Sequence, residues 1–595
     1  MREFSVPATS TVPDGFTLSD LVVDNAVQSP HRVQFRRQVD DRWQDVTCRD
    51  FLAEVSAVAK GLVASGVATG DRVAIMSRTR YEWTLADFAI WTAGAVCVPI
   101  YETSSAEQVE WILTDSGAVA AFVELPAHAA TVEQVRGAAG HLAHLWRFDT
   151  DLEPLVEAGR AVSDGELERQ RASLGADSLA TLIYTSGTTG RPKGCELTHR
   201  NFKAGTDSVA EALDGVFVPG QSTLLFLPLA HVFARAIEVG CVRSGVTMGH
   251  TADVANLLDD LVVFQPTFVL SVPRVFEKIY NGAQAKASAD GKGKIFDRAA
   301  SVAIAYSQGL DTGGPSLAVK VQHALFDRLV YSKLRARLGG RVEYAVSGGA
   351  PLGDRLGHFF RGVGVTILEG YGLTETTAGS TINSPAQMSV GSVGQPIPGS
   401  GVKIADDGEV LLRGPHVFAG YWRNQESTVE AFEPDGWFRS GDIGELDDRG
   451  FLRITGRKKE IIVTAAGKNV APAILEDRLR AHPLVSQCMV VGDNRPYIGA
   501  LVTLDRESMP GWLAAHGRPA DTALADLAAD PQVLADVQAA VDDANKAVSK
   551  AEAIKRFVVL PVDFTEEGGQ LTPTLKLKRT TVLVDFDAAV QSLYT

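Results

Sequence analysis

The chain is poor in cysteine. Its five cysteines (Cys48, Cys97, Cys195, Cys241 and Cys488) are odd in number among 595 residues and form no CxxC pair. That excludes a disulfide scaffold and a thiolate zinc site, and predicts buried thiols in a reducing, cytoplasmic compartment. Long apolar runs are also scarce. The uncharged, largely apolar stretch Phe88 to Tyr101 contains Thr92 and Pro99 and falls short of the roughly 18 residues of a membrane span; it reads as core. The first residues, Met-Arg-Glu-Phe-Ser-Val-Pro, hold no hydrophobic signal region. Attachment to a membrane surface stays open. Positive charge is in deficit, with 57 Lys and Arg against 72 Asp and Glu for a net −15. A general nucleic-acid binder is thereby excluded, although one cleft can still be locally positive. No fixed-period repeat, no GxGxxG after a strand and no HExxH occurs. His141 and His144 have a metal-like spacing but sit in an Ala-rich, helix-patterned run without acidic or cysteine partners, so a solvated helix face is expected.

What is present is ordinary globular composition, 45% hydrophobic and 22% charged with 56 Gly and 26 Pro. The length exceeds the roughly 250–300 residues of a single core, so at least two domains are expected. A recurring unit is a short apolar run, a Gly/Ser/Pro loop, then a helical pattern: Thr181–Tyr184, Thr223–Leu227, Pro266–Val272, Arg341–Val346 and Val365–Leu368 are the runs. Such alternation predicts βαβ units and largely parallel sheets, with ligands beyond the carboxyl ends of the strands. Polar Ser163–Ser178 reads as a linker. From about Val393 short alternating runs with Gly and Asp turns predict a small antiparallel or barrel-like element. After Gly456 a compact α+β unit follows, placing a large domain at 1–455 and a small one at 456–595.

The densest chemical signal is Tyr184-Thr185-Ser186-Gly187-Thr188-Thr189-Gly190-Arg191-Pro192-Lys193-Gly194, directly after an apolar strand. Glycines let the backbone approach a polyphosphate, hydroxyls donate to it, and Lys193 adds a point charge. It is not a Walker A loop, because Pro192 stands where Gly would be needed.

This loop resembles the signature of the adenylate-forming (AMP-binding) acid ligases. Further elements match in the family's order: Leu227-Pro228-Leu229-Ala230-His231, Ser347-Gly348-Gly349-Ala350-Pro351, Glu369-Gly370-Tyr371-Gly372-Leu373-Thr374-Glu375, Ser440-Gly441-Asp442, Gly456-Arg457-Lys458-Lys459-Glu460 and Leu571–Arg579. Asp435–Val463 and Val272–Lys278 are similar to the long-chain fatty acyl-CoA synthetase branch. The resemblance implies an α/β fold with a mobile small domain. It also implies two half-reactions: acid plus ATP gives acyl-AMP and pyrophosphate, then coenzyme A takes the acyl group.

By family position Lys576 is the catalytic lysine of the first step, with Lys578 its rival. Glu375 resembles the Mg²⁺-binding glutamate, and Thr374 the α-phosphate contact; both also suit a helix N-cap. Thr185, Ser186, Gly187, Thr188, Thr189, Gly190 and Lys193 take the phosphates. Gly348, Gly349, Ala350 and Tyr371 form the adenine slot, or merely pack a loop, and Glu369, Gly370 and Gly372 belong to the ATP/AMP-binding set. Asp442 and Arg457 reach the ribose, or form a structural ion pair. His231 lies near the α-phosphate and carboxylate. Arg235 stands where some relatives carry an aromatic gate, which puts such a gate in doubt there. Lys459 falls at the hinge. Ala466-Gly467-Lys468 matches the pantetheine channel, with a hairpin turn as the alternative. The chain closes soon after Lys576 with no fused carrier domain, which favours free coenzyme A over an acyl carrier protein. A non-catalytic acyl or nucleotide sensor is the remaining reading.

Overall fold

The computed structural model describes residues 1–40, 42–185, 191–253, 256–572 and 576–595. The sequence's apolar runs become buried strands. Val96–Ile100 is buried at every position, as a strand covered on both faces must be. It lies inside a seven-stranded sheet, parallel to Arg72–Met76 and to Leu179–Thr185. The preceding helix, Tyr81–Thr92, is buried all round, so the uncharged stretch Phe88–Tyr101 is core. A second sheet sets Phe268–Ser271, Tyr344–Ser347 and Thr366–Tyr371 side by side in parallel. A third joins Ser222–Leu225 and Thr247–His250 to the hairpin of Val33–Val39 and Arg42–Thr47. Strands ending in phase leave their Gly-rich loops on one rim, and the site is built on that rim.

Glu3–Ser5, Gly401–Ile404, Glu409–Arg413, Phe438–Leu446 and Leu452–Arg457 form a five-stranded antiparallel half-barrel. Beyond it the core divides. The two larger-domain clusters end at Leu452, whereas two separate clusters contain only residues from Ile462 onward. The smaller C-terminal domain pairs Val485–Val491 with Ile498–Leu504, and that strand with parallel Ile554–Val559. Ion pairs Arg274–Asp505 (2.9 Å) and Lys278–Glu507 (2.7 Å) tie it to the large domain. The α/β class, the parallel sheets, the barrel-like element and the second domain expected from sequence are all present.

Two local expectations differ. Ser163–Ser178 is not a bare linker: Ser163 caps a helix, Asp164–Arg171, whose Leu167 is buried and whose Arg171 pairs with Asp20. His144 opens a strand, His144–Arg147, rather than continuing a helix. All five cysteines are buried and unpaired. Among the described residues, no helix is long and apolar enough to cross a membrane.

Candidate active site

A cavity of about 720 Å³ opens on the rim where the sheets, the half-barrel and the small domain meet. Its polar end is lined by Thr185, Lys193, Thr374, Glu375, Arg457 and Lys576. Thr185 closes the strand Leu179–Thr185, and Lys193 opens the antiparallel strand beside it. The Lys193 ammonium donates to Ser427 Oγ at 2.8 Å and lies 5.1 Å from the centre of the Tyr421 ring. Ser186, Gly187, Thr188, Thr189 and Gly190 lie outside the described residues.

Thr374 and Glu375 are not a helix N-cap pair; they belong to a three-residue 3-10 turn, Thr374–Thr376. Thr377 and Ala378 follow with φ of 49° and 77°. That reversal presses Ala378 against Gly372, where a Cβ would fall 1.7 Å from the Ala378 oxygen; only glycine fits. The turn aims Glu375 into the cavity, with Oε1 accepting from the Tyr421 hydroxyl at 2.9 Å.

Lys576 enters from the small domain through a loop closed by two hydrogen bonds with Thr572, at 2.8 and 3.0 Å. Its pKa is lowered, first by enclosure and then by Arg457, against Asp442, Glu375 and Glu460, which act to raise it. Its rival Lys578 does not line the cavity. His231 caps the helix Val232–Ser244: Nδ1 accepts from the Phe233 N–H at 3.1 Å. Removal from water, with Lys576 nearby, pushes its pKa down to about 3. The imidazole is therefore neutral, and with Nδ1 accepting, the proton is assigned to Nε2.

Gly348, Gly349, Gly370, Tyr371 and Gly372 line the cavity together. Gly349 needs glycine for its φ of 84°. The Tyr371 hydroxyl donates to Asp442 Oδ2 at 2.7 Å, and Arg457 Nε pairs with Oδ1 at 2.9 Å. Asp442 is buried behind these two, so the Asp–Arg ion pair weighed as its alternative role is present, and both carboxylate oxygens are already engaged. Glu369 also sits behind the slot. Its Oε2 accepts from the Leu352 N–H at 3.2 Å, fastening the loop after Ala350, and burial pushes its pKa up to about 7. Ala350 is exposed and outside the cavity wall.

Lys459 lines the cavity, while neighbouring Lys458 is held by Asp407 and Glu409 at 2.6 and 2.9 Å. Gly467 and Lys468 do not reach it. They form the turn of the hairpin Ile462–Val463/Asn469–Val470, with Lys468 paired to Glu552 at 3.2 Å. With Lys576 in the cavity, the hairpin occupies another face of the small domain.

The rest of the cavity is an apolar arm that single-motif reading missed. Val232, Phe233, Ala236, Ile237 and Gly240 form one face of the helix after His231, and Leu213 and Phe217 face them. The signal was available as helical spacing. A Cβ at Gly348 would lie 3.6 Å from the Phe233 ring, so an aromatic of the arm borders the glycines of the slot. Arg235 points away. It is fully buried, bidentate to Asp87 (2.6 and 3.1 Å) and enclosed by Trp83, Trp91 and Phe202. The doubt about a gate at Arg235 is therefore upheld, and the aromatic is two residues earlier.

An AMP-binding enzyme model matches residues 22–422, and an AMP-binding enzyme C-terminal domain model matches 459–595. Long-chain-fatty-acid–CoA ligase FadD15 of Mycobacterium tuberculosis is 52% identical over 598 residues, covering 100% of both chains. The peroxisomal long chain acyl-CoA synthetase 7 of Arabidopsis thaliana is 33% identical over 92% of this chain and 81% of its own. Among solved structures, the A domain of carboxylic acid reductase from Segniliparus rugosus, in complex with AMP and a co-purified carboxylic acid, superposes with a TM-score of 0.76. It is 22% identical and covers 98% of this chain and 94% of that one. A Mycobacterium tuberculosis fatty acyl CoA synthetase gives 0.62 at 23% identity, over 96% and 98%. Those structures share the fold; the full-length matches in sequence carry the kinship, and the chain belongs to the AMP-binding enzyme family.

Proposed function

We propose that the protein is a long-chain fatty acid–CoA ligase, with residues 1–455 binding nucleotide and acyl chain and 456–595 forming a mobile domain that carries Lys576. The observation that carries this reading is one continuous cavity with an anion-seeking end, built by Lys193, Arg457 and Lys576, and an apolar arm. A molecule with a carboxylate head and a long aliphatic tail fits both. The 52% identity to a long-chain ligase over both full lengths supports the same substrate class.

In the first half-reaction a carboxylate oxygen of the acid attacks the α-phosphorus of ATP. The new C–O–P linkage forms as the bond to pyrophosphate breaks. Negative oxygens crowd this centre, so the chain's work is positioning and charge neutralisation. Lys576 stabilises the incoming carboxylate and the α-phosphate, Thr374 donates to that phosphate, and neutral His231 offers its Nε2 proton. Thr185 and Lys193 hold the phosphates with Ser186–Gly190. Tyr371 flanks the base, and Asp442 with Arg457 fixes the ribose side. Mg²⁺ would neutralise phosphate charge; the Glu375 carboxylate, a hard oxygen donor facing the cavity, suits it. In the second half-reaction the thiol of coenzyme A attacks the acyl carbon and expels AMP, with its proton leaving to solvent. The small domain then turns about Lys459 to bring Gly467 and Lys468 to the thiol arm. Five buried thiols suit a reducing cytoplasm.

Pyrophosphate release from MgATP across acids from acetate to stearate tests the reading. Release should require an acid and favour long aliphatic chains, with coenzyme A rather than holo carrier protein as acceptor. Turnover with acetate and none with palmitate would overturn the substrate class.

A further inference from the structure

The helix Leu317–Phe326 and the turn after it, Asp327–Tyr331, present the wrong kind of residue to water. Their inner face is fixed. His323 stacks on Tyr306 at 3.9 Å and bonds the Gly362 carbonyl, Phe326 is buried, and Tyr331 donates to the Ala299 carbonyl at 2.7 Å. A surface helix so anchored should be polar outside. Instead Leu317, Val321, Leu325 and Leu329, spaced by four, are 78%, 64%, 56% and 49% exposed. Ile295 and Leu310, on the helix Gly293–Asp311 packed beside it, are exposed too. Four large aliphatic residues in one outward row are not scattered surface leucines; such a row marks an interaction surface.

The charge around the row says which kind. Between Lys292 and Arg341 stand nine Lys or Arg against three Asp and no Glu, in a chain of net charge −15. Two of those aspartates are engaged, Asp311 by Arg361 and Asp327 by Arg335. Exposed Lys320 and Arg328 lie within the row itself, and Lys333 and Arg337 follow it; no ion pair is recorded for these four among the described residues. An aliphatic stripe bordered by unneutralised cations, on an otherwise acidic protein, matches a surface that is negative outside and hydrocarbon beneath. A second copy of this chain would set the unpaired Lys320, Arg328, Lys333 and Arg337 against the same four cations, which disfavours self-association through this face.

We propose that the Leu317–Tyr331 face docks the enzyme on anionic lipid bilayers, with Leu317, Val321, Leu325 and Leu329 entering the acyl boundary and Lys320, Arg328 and Lys333 meeting the headgroups. The surface argument is independent of the ligase reading, although a bilayer is also where long-chain acids reside.

Flotation of the full chain with lipid vesicles tests it. Binding is expected to vesicles of phosphatidylcholine and phosphatidylglycerol in equal parts, to weaken with added salt, and to be slight on phosphatidylcholine alone. V321E together with L325E should lower vesicle partitioning by at least about tenfold, and K320E with R328E by a similar factor. Both variants should retain wild-type far-UV dichroism and wild-type turnover of a detergent-dispersed acid, since none of these residues lines the cavity. Absence of binding to the anionic vesicles, or binding indifferent to both double variants, overturns the proposal. So does a wild-type dimer in sedimentation that V321E with L325E converts to monomer, which would assign the face to a second copy.

Discussion

Gly240 sets the most quantitative test of the acyl arm. The helix that begins after His231 carries the arm's wall, and Gly240 lies nine residues beyond that histidine, about 13 Å along the axis or some ten methylenes of an extended chain. A Cβ at Gly240 would stand 3.3 Å from a Phe217 ring carbon and 3.9 Å from Thr206 Cγ2, so the glycine keeps open the gap between two helices. Gly240→Leu puts four carbons into that gap. If they displace about four substrate methylenes, each contributing about 0.8 kcal/mol when buried, the loss is about 3 kcal/mol, or about two orders of magnitude in kcat/KM. The penalty should fall on palmitate and stearate and spare octanoate, with the break near ten carbons. Replacing a mid-helix glycine gains up to about 1 kcal/mol of helix propensity, which offsets the crowding at Phe217 and keeps the variant folded. Gly240→Ala needs only a few tenths of an ångström from Phe217 and should change the profile little. The assay is kcat/KM for pyrophosphate release over acids of graded length. A loss uniform across all lengths, or stearate used as well as by wild type, would refute the arm as the acyl site.

Three further outcomes are expected. Lys576→Ala should slow acyl-AMP formation by about 10²–10³ while leaving thioester formation from supplied acyl-AMP largely intact; Lys578→Ala should slow neither step, and the reverse pattern in single-turnover assays would exchange their roles. Lys459→Pro should preserve adenylation and abolish acyl transfer, because proline fixes φ and restricts Lys458 as well; Lys459→Ala should be milder, and normal thioester formation in the proline variant would remove the hinge. His199, buried with its Nδ1 accepting from the Leu18 N–H at 3.1 Å, has its pKa pushed down to about 3 by desolvation. The unfolded chain therefore binds a proton that the folded chain does not once pH drops below about 6.5, and stability falls with it by about 1.4 kcal/mol per pH unit. Asn can replace the acceptor without titrating, so the stability gap between wild type and His199→Asn, read by urea denaturation, should narrow from pH 7 to pH 5; a constant gap would contradict the assignment.

What could be read from sequence follows from how local each constraint is. Strands such as Val96–Ile100 are written in runs of adjacent residues, and loops such as Gly370–Gly372 in residues whose backbone geometry few others allow, so both were legible. Ser163–Ser178 was misread because its helix depends on one buried contact at Leu167 and on Asp20, more than a hundred residues away. The same distinction separates the motif residues. Tyr371 and Glu375 line the cavity from the end of their strand and from the turn that follows it. Asp442 and Glu369 stand one layer behind, and only the folded chain shows that each holds a neighbour: Asp442 grips Tyr371 and Arg457, and Glu369 grips the Leu352 amide. The arm was hidden for a further reason. Its wall is a helix face of commonplace residues, Val232, Ala236, Ile237 and Gly240, any of which would serve equally well as core. Which face of that helix turns toward the cavity is decided from behind, by Arg235. Its guanidinium, clamped by Asp87 and boxed by three aromatic rings, cannot turn toward the substrate without leaving a carboxylate buried and unpaired. An arginine that looks out of place beside a fatty-acid site is therefore what fixes the apolar face of the helix toward it.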